Sequence, residues 1–299
     1  MDRKIGIIIV SYHNPKGTER YLKKELTKLS FPYTLIVVDV DASPESSKKL
    51  AESCGLFYLE ENNTAASIPQ TNKYLISCRK NLGYARGNNL GVKFLNKCGN
   101  FTHYLFSNDD IEIKDPNTLT KLAEKLDADS SLGCIGPRII GLDGHDQSPH
   151  MRYISPYRMI GWNILPFLRT KKGRVNILQQ KPSNSICYWV CGAFMMVKAD
   201  YFLQAGMFDD STFLYFEEVI LAERLLQINK KVYFLADVEV LHYEGGSSSN
   251  INLRKQQFLI DSQVLYYKKY KHVSSFIIHL YKLSFIIHNL FNKKIRNKA

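Results

Sequence analysis

Apolar runs of strand length alternate with helical patterns through the first half of this chain, the signature of a parallel sheet covered by helices on both faces. Ile5 to Ser11 reads as a first strand, followed by a helix over Thr18 to Leu29 whose apolar residues are Tyr21, Leu22, Leu26 and Leu29. Leu35 to Val38 predicts a second strand ending at Asp39, then a turn through Asp41, Ser43 and Pro44 and a helix to about Cys54. Phe57 to Leu59 predicts a third strand, Tyr84 to Leu95 a helix, Tyr104 to Phe106 a strand, and Cys134 to Ile140 a return to the sheet. A helix over Pro116 to Leu126 is opened by Asp115 and Pro116. From Gly141 to Ser185 the pattern lapses into Gly, Pro, Arg and aromatic residues, which predicts a long, mobile loop suited to covering a site. Strand-like Tyr188 to Val197, Val232 to Leu235 and Val238 to Tyr243 follow, with helices near Ala199 to Ala205 and from Glu217 to about Asn229.

At 299 residues, 45% apolar and 12% aromatic, the chain can fill a real core as one large or two small domains, which excludes disorder, collagen and a disulfide miniprotein. Its six cysteines include no C-x-x-C pair, so reduced thiols in a cytosolic protein are expected. The N-terminal apolar run is too short for a secretory signal and is read as the first strand. Charge is uneven: from Ile251 to Ala299 ten Lys or Arg stand against one acid, Asp261, so this tail carries +9 of the net +12. A nucleic-acid binder would spread basic charge over a face with interleaved aromatics, and no such pattern or motif is seen.

Ligands of open parallel sheets sit beyond the carboxyl ends of the strands, and two acidic clusters fall at such ends. Asp39 and Asp41 follow the second strand, and Asn108-Asp109-Asp110 follows Tyr104 to Phe106. A carboxylate ending an apolar strand is expensive unless it meets water, a donor or a cation. Oxygen sites of this kind suit Mg²⁺ or Mn²⁺ on a diphosphate; turn and cap roles are the structural alternative. Residues 81–91 form a glycine-rich helix entry whose Asn81, Arg86, Asn88 and Asn89 could serve a nucleotide, or whose glycines could serve only turn and packing. Glu217-Glu218 follows an aromatic run at a helix start, consistent with a general base against an apolar wall or with helix capping. His242 ends the last strand, where a lone histidine is either a ligand or a satisfied side chain.

In their order these signals resemble the inverting GT-A glycosyltransferases of family 2, especially the bacterial branch that includes rhamnosyltransferases, over about residues 4 to 249. The family's V-x-Y-N is matched by Val10-Ser11-Tyr12-His13-Asn14, and D-N-x-S is approximated by Asp39-Val40-Asp41-Ala42-Ser43. N-x-G-x-x-x-G-N-N-x-G is matched at every fixed position by residues 81–91, and the metal-binding D-x-D, N-x-D in this branch, by Asn108-Asp109-Asp110. Gly192-Ala193 with apolar followers, Gly206-Met207-Phe208-Asp209, Glu217-Glu218 and His242-Tyr243-Glu244-Gly245-Gly246-Ser247 match the G-A, G-x-F-D, E-D and H-x-x-G-x-S motifs in turn.

The resemblance implies a GT-A nucleotide-diphospho-sugar transferase fold, Rossmann-like with a mostly parallel sheet, over residues 1–250, and the charge and apolar pattern of 251–299 predict a basic, helical tail. It implies that Asp39 and Asp41 contact the nucleobase or ribose, with Asn81 and Arg86 in the same pocket. Tyr12, Asn14, Asn88, Asn108, Asp109, Gly192 and Ala193 belong to the donor site on the same grounds. Asp110 would bind a divalent cation, Mg²⁺ or Mn²⁺, with His242 as a further ligand of the cation or diphosphate. Glu218 would take the proton from the acceptor hydroxyl, with Glu217 able to share or swap that role, since E-E stands here in place of E-D. The implied donor is dTDP-rhamnose or a UDP-sugar, and the acceptor a glycan or lipid-linked saccharide of bacterial surface-polysaccharide synthesis. A catalytically impaired nucleotide-sugar-binding relative is one alternative. A sugar-phosphate nucleotidyltransferase is another, but it would carry a basic glycine-rich loop where Ser11-Tyr12-His13-Asn14-Pro15 stands.

In the tail, Phe258 to Tyr270 reads as a helix, and Phe276 to Phe291 holds eleven apolar residues before Lys293-Lys294-Ile295-Arg296. A spanning helix needs roughly 20 largely apolar residues. An amphipathic helix on an anionic inner leaflet is therefore expected, placing the protein in the cytoplasm, peripheral to the plasma membrane. Packing on the core, or a homodimer through the tail, is the alternative.

Overall fold

The computed structural model describes residues 2–63, 68–153, 155–165, 183–243 and 253–296. Ile5–Tyr12 (β1), Tyr33–Val40 (β2), Phe57–Glu60 (β3), Lys73–Cys78 (β4) and His103–Ser107 (β5) form the parallel half of a ten-stranded sheet. The other strands are Ile111–Ile113 (β6), Leu132–Gly141 (β7), Ser185–Cys187 (β8), Phe194–Lys198 (β9) and Lys231–His242 (β10). The order is β3-β4-β2-β1-β5-β9-β7-β10-β6, with β8 also on β10. β9 lies antiparallel between β5 and β7, β10 runs parallel to β7, and β6 and β8 run antiparallel to β10.

Alternate side chains of the strands feed two cores, because successive residues of a strand point to opposite faces. Ile5, Ile7, Ile9, Val37 and Leu105 pack on one face with Tyr21, Leu50, Leu119 and Leu122. These come from Pro15–Arg20 (α1) and its irregular helical continuation to Lys28, from Pro44–Cys54 (α2) and from Thr118–Ala128 (α4). Ile8, Ile36, Val38 and Phe106 pack on the other with Val92, Phe94, Phe202, Leu221 and Leu225, from Gly83–Cys98 (α3), Ala199–Gln204 (α6) and Glu217–Gln227 (α7). A side chain at Gly91 would place its Cβ 2.7 Å from Ile8 on β1, so this glycine lets α3 lie close on the sheet.

The mostly parallel α/β architecture with flanking helices is as expected, but several local readings differ. β4, whose apolar stretch Tyr74-Leu75-Ile76 is short and has no turn signal close behind it, went unread, as did the three-residue β6. Pro156–Ile164 (α5) interrupts the supposed loop, opened by Ser155, whose side chain accepts from Arg158 N with Pro156 at the first position. The strand expected from Tyr188 starts only at Phe194; Tyr188 and Trp189 instead exchange backbone hydrogen bonds with His150. The two segments after Val232 are one strand, with a register shift between Leu235 and Glu239.

Leu253–Leu265 (α8) continues helically to Tyr270, and Ser275–Arg296 (α9) follows. Both pack on the rest of the molecule. A third core joins Ile260, Tyr266, Tyr267, Ile278 and Tyr281 to Val219 and Ile220 of α7, with Tyr153, Met159 and Trp189 against them. Polar ties add to it. Buried Asp209 accepts from Lys269 at 2.8 Å and Tyr270 at 2.6 Å and pairs with Arg224 at 3.3 Å, while Glu223 accepts from Tyr188, Tyr266 and Lys271. Burial alone would raise the Asp209 carboxyl, but the hydrogen bonds from Lys269, Tyr270 and Ser211 hold it well below the usual range.

Candidate active site

The carboxyl ends of β1, β2 and β5 bring together several of the residues singled out in the sequence. Beyond β1, the Tyr12 ring is 41% exposed and stacks on His13. His13 and Asp41 both have left-handed backbones, with φ of 51° and 56°, and their side chains meet at 3.0 Å. Asp39 is buried; it accepts from Ser47 at 2.7 Å, and burial raises its carboxyl above the ordinary value. Asp109 faces α1. Its Oδ2 takes Thr18 Oγ1 at 2.6 Å and Asn14 Nδ2 at 3.2 Å, and burial pushes its carboxyl up to about 6. Asn14 Oδ1 also caps α1 through Gly17 N.

The glycine-rich segment is fixed by its own side chains. Asn81 Oδ1 accepts from Gly83 N at 2.9 Å. Gly83 has φ of +73°, and a Cβ there would fall 2.2 Å from the Phe213 carbonyl, which accepts from Tyr84 N. Asn88 is buried and donates to Tyr84 O. Asn89 exchanges hydrogen bonds with Phe208 and donates to Asp210 Oδ1, and exposed Arg86 donates to Asp210 O. Turn and packing roles therefore account for the contacts of Asn81, Asn88 and Asn89, and the segment holds the 206–213 chain that leads to the glutamates.

Tyr215 and Phe216 precede α7 with φ of 73° and 71°, a conformation costing bulky residues roughly 1–3 kcal/mol each. That turn delivers two carboxyls into different surroundings. Glu217 is buried with Oε1 lacking any hydrogen-bond partner, and burial next to Glu218 raises its carboxyl well above the ordinary range. Glu218 is half-buried, and burial pushes it up to about 7 although backbone N–H groups, including that of Gly192, favour its charge. A Cβ on Gly192 would lie 3.3 Å from Tyr84 Oη and 3.7 Å from Glu218 Cδ, and Tyr84 donates to Gly192 O at 2.7 Å. The next carbonyl, Ala193 O, accepts from Asn108 N at 2.8 Å. Gly192-Ala193 thus links Glu218 to the 108–110 cluster. Tyr84 was missed because it occupies a variable position of its motif.

At the far side of that cluster, β10 brings in His242, which pairs with Gly141 in register on β7. Its Nε2 lies 3.1 Å from Asp110 Oδ1 and 3.4 Å from Asn108 Nδ2. The first distance suits an ion pair but misses hydrogen-bond geometry, so Asp110 Oδ1 is buried without a donor. An orphaned carboxylate oxygen beside an imidazole nitrogen fits a divalent cation held by few protein ligands. Among the described residues no three His, Cys, Asp or Glu side chains gather as a metal cage, so this pair would leave the remaining positions to diphosphate and water. Gly245, Gly246 and Ser247, the rest of the His242 motif, lie outside the described residues, as do 166–182 of the expected loop. A cavity of about 750 Å³ bounded by Gln70, Tyr74 and Lys97 lies at the opposite, amino end of β4 and touches none of these groups.

No family model matches the chain. It is 25% identical over 259 residues to the low-salt glycan biosynthesis hexosyltransferase Agl10 of Haloferax volcanii, covering 85% of this chain and 72% of the relative. It is 24% identical over 251 residues to rhamnosyltransferase WbbL of Escherichia coli, covering 80% and 83%. Over 209 residues it is 25% identical to the N-acetylglucosaminyl-diphospho-decaprenol L-rhamnosyltransferase of Mycobacterium tuberculosis, covering 64% and 67%. In fold it is similar to the mannosyltransferase PcManGT from Pyrobaculum calidifontis in complex with GDP-Man and Mn²⁺, with a TM-score of 0.55 at 12% identity over 97% of this chain and 74% of the other. GalNAc-T7 with UDP, GalNAc and Mn²⁺ gives 0.57 at 13%, over 94% of this chain and 54% of the other. The chain has the GT-A fold, and by sequence similarity it is a glycosyltransferase, similar to the rhamnosyltransferase-like branch of family 2.

Proposed function

We propose that this glycosyltransferase of glycan synthesis moves a sugar, with inversion, from dTDP-rhamnose or a UDP-sugar to a glycan or lipid-linked acceptor. The observation that carries the reading is the Gly192-Ala193 link, with the raised Glu218 carboxyl at one end and the orphaned Asp110 oxygen at the other. Tyr12, Asn14, Asp39, Asp41, Asn81, Arg86, Asn88, Asn108 and Asp109, with Gly192 and Ala193, form or support the donor side. Asp110 and His242 are the residues that would hold a divalent cation. When bound, the cation offsets charge growing on the departing nucleoside diphosphate. Glu218 is the base: a carboxyl near 7 has both an ionised fraction at neutral pH and enough basicity to take the acceptor proton. Glu217, more deeply buried, stays protonated and supports the turn. A single displacement at the anomeric carbon then inverts it without a covalent intermediate.

The tail supports a location at the inner membrane face. α9 buries Ile278 and Tyr281 and leaves Phe276 (69%), Leu280, Leu283 (52%) and Ile286 (56%) exposed along one stripe. Among the described residues no helix is long and apolar enough to cross a membrane. The stripe and the basic tail suit the surface of an anionic bilayer, where lipid-linked acceptors reside. The test of function is a thermal-shift screen against UDP, dTDP and GDP with and without Mn²⁺. A Mn²⁺-dependent rise with one of them supports the reading and identifies the donor nucleotide. No rise with any, in folded protein, moves the weight to an impaired relative.

A further inference from the structure

His242 is not held by Asp110 and Asn108 alone. Its other nitrogen, Nδ1, lies 2.7 Å from Gln147 Oε1, and Gln147 is itself clamped from both sides. The Gln147 N–H donates to Ile139 O on β7 at 2.8 Å, and its carbonyl accepts from His150 Nε2 at 2.9 Å. The His150 ring stacks on Trp189 with centroids 3.5 Å apart and planes 7° from parallel. The amide at residue 147 is thus presented to His242 from a braced backbone in a stretch that the sequence pattern assigns to loop. A neutral imidazole carries one proton. The Gln147 Oε1 oxygen can only accept, so the hydrogen bond between it and Nδ1 requires a proton on Nδ1.

We propose that Gln147 is a positioning residue for the divalent cation: by accepting the Nδ1–H of His242 it fixes the ring so that the Nε2 lone pair stands beside Asp110 Oδ1. The inference rests on the reading above that Asp110 and His242 are the cation's protein ligands. Metal-ligating histidines commonly donate their second N–H to such a partner, and loss of the partner typically weakens metal binding about 10–100-fold.

The test is Mn²⁺ binding, read by the electron paramagnetic resonance of free Mn²⁺ during titration of the full-length chain with saturating UDP, dTDP or GDP. Gln147→Met, which keeps volume but cannot accept, is expected to weaken Mn²⁺ about 10–100-fold. Its melting temperature without Mn²⁺ is expected to match the parent's. Gln147→Glu, which can only accept, is expected to bind Mn²⁺ at least as tightly as the parent, a rescue that general damage to the loop would not give. Nitrogen-15 shifts of His242 in the metal-free protein are expected to show Nδ1 protonated and Nε2 bare. Parent-like Mn²⁺ affinity in Gln147→Met, weakened binding in Gln147→Glu, or a proton on Nε2 would each overturn the proposal while leaving the cation site standing. Absence of Mn²⁺ binding by the parent, or parent-like binding in both Asp110→Asn and His242→Ala, would overturn the cation reading and this inference with it.

Discussion

At the scale of single residues, the two adjacent glutamates divide by burial. Glu218 is expected to behave as a base whose working form is lost below about pH 7, so the transfer rate rises with pH to a plateau above that value. Glu218→Gln should lower kcat by about 10²–10⁴-fold with donor KM little changed, checked by steady-state assay with the donor found in the thermal screen. Glu217 makes a different prediction, in stability. Its carboxyl is raised in the fold, so the native state holds a proton there that the unfolded chain releases above the ordinary carboxyl range. Stability is therefore greatest below that range and falls as pH rises. Glu217→Gln removes the ionisation, and its melting temperature relative to the parent should increase steadily from pH 5 to pH 8. A constant difference across that range would show that Glu217 is not held neutral. The resemblance puts Glu218 ahead of Glu217 by motif position alone, since the two side chains are chemically alike; their different burial after the Tyr215-Phe216 turn is visible only in the fold.

Among the elements, the strands that deliver the site were readable because each of β1, β2 and β5 is a compact apolar run ending in polar residues. The elements that complete it were harder. β4 shows little contrast with its polar surroundings, and α5 announced itself only through Ser155-Pro156 within an otherwise patternless stretch. Gln147 carried no signal at all, since its role depends on β7 and β10 lying side by side. The tail reads as basic and amphipathic from its sequence, whereas its anchoring could not be read there: Asp209 and Glu223 fasten the helical continuation of α8 to α7, the helix that begins with the two glutamates. Asp209→Ala removes the buried acceptor shared by Lys269, Tyr270 and Arg224 and is expected to destabilise the fold by about 1–3 kcal/mol, measured by urea unfolding. It should also speed amide exchange across α7 and α8 together. Because its carboxyl is held low, the Asp209 contribution is present above the ordinary carboxyl range and is lost only as pH falls well beneath it.

For the whole molecule, the exposed stripe on α9 sets an expectation that the active-site residues do not. The chain should sediment with vesicles containing phosphatidylglycerol, bind neutral vesicles less, and lose much of that binding at high salt. Leu283→Glu together with Ile286→Glu should abolish it without changing nucleotide-dependent thermal shifts. If the stripe were instead a contact between two copies, those substitutions would change the sedimentation coefficient in lipid-free buffer.

The sheet order has a further consequence, for how such a chain is made. β1 pairs with β5 almost a hundred residues later, and β6 pairs with β10 across more than a hundred. Pairings of such separation form slowly, after the local ones. On the ribosome, β1 to β5 can assemble while the rest is still being synthesised, because all their partners within the parallel half have already emerged. Asp110 is then in place, but His242 reaches it only when the last strand slides in between β7 and β6. Cation affinity in chains of increasing length should therefore appear abruptly once β10 has cleared the exit tunnel, making the metal a reporter of completed synthesis.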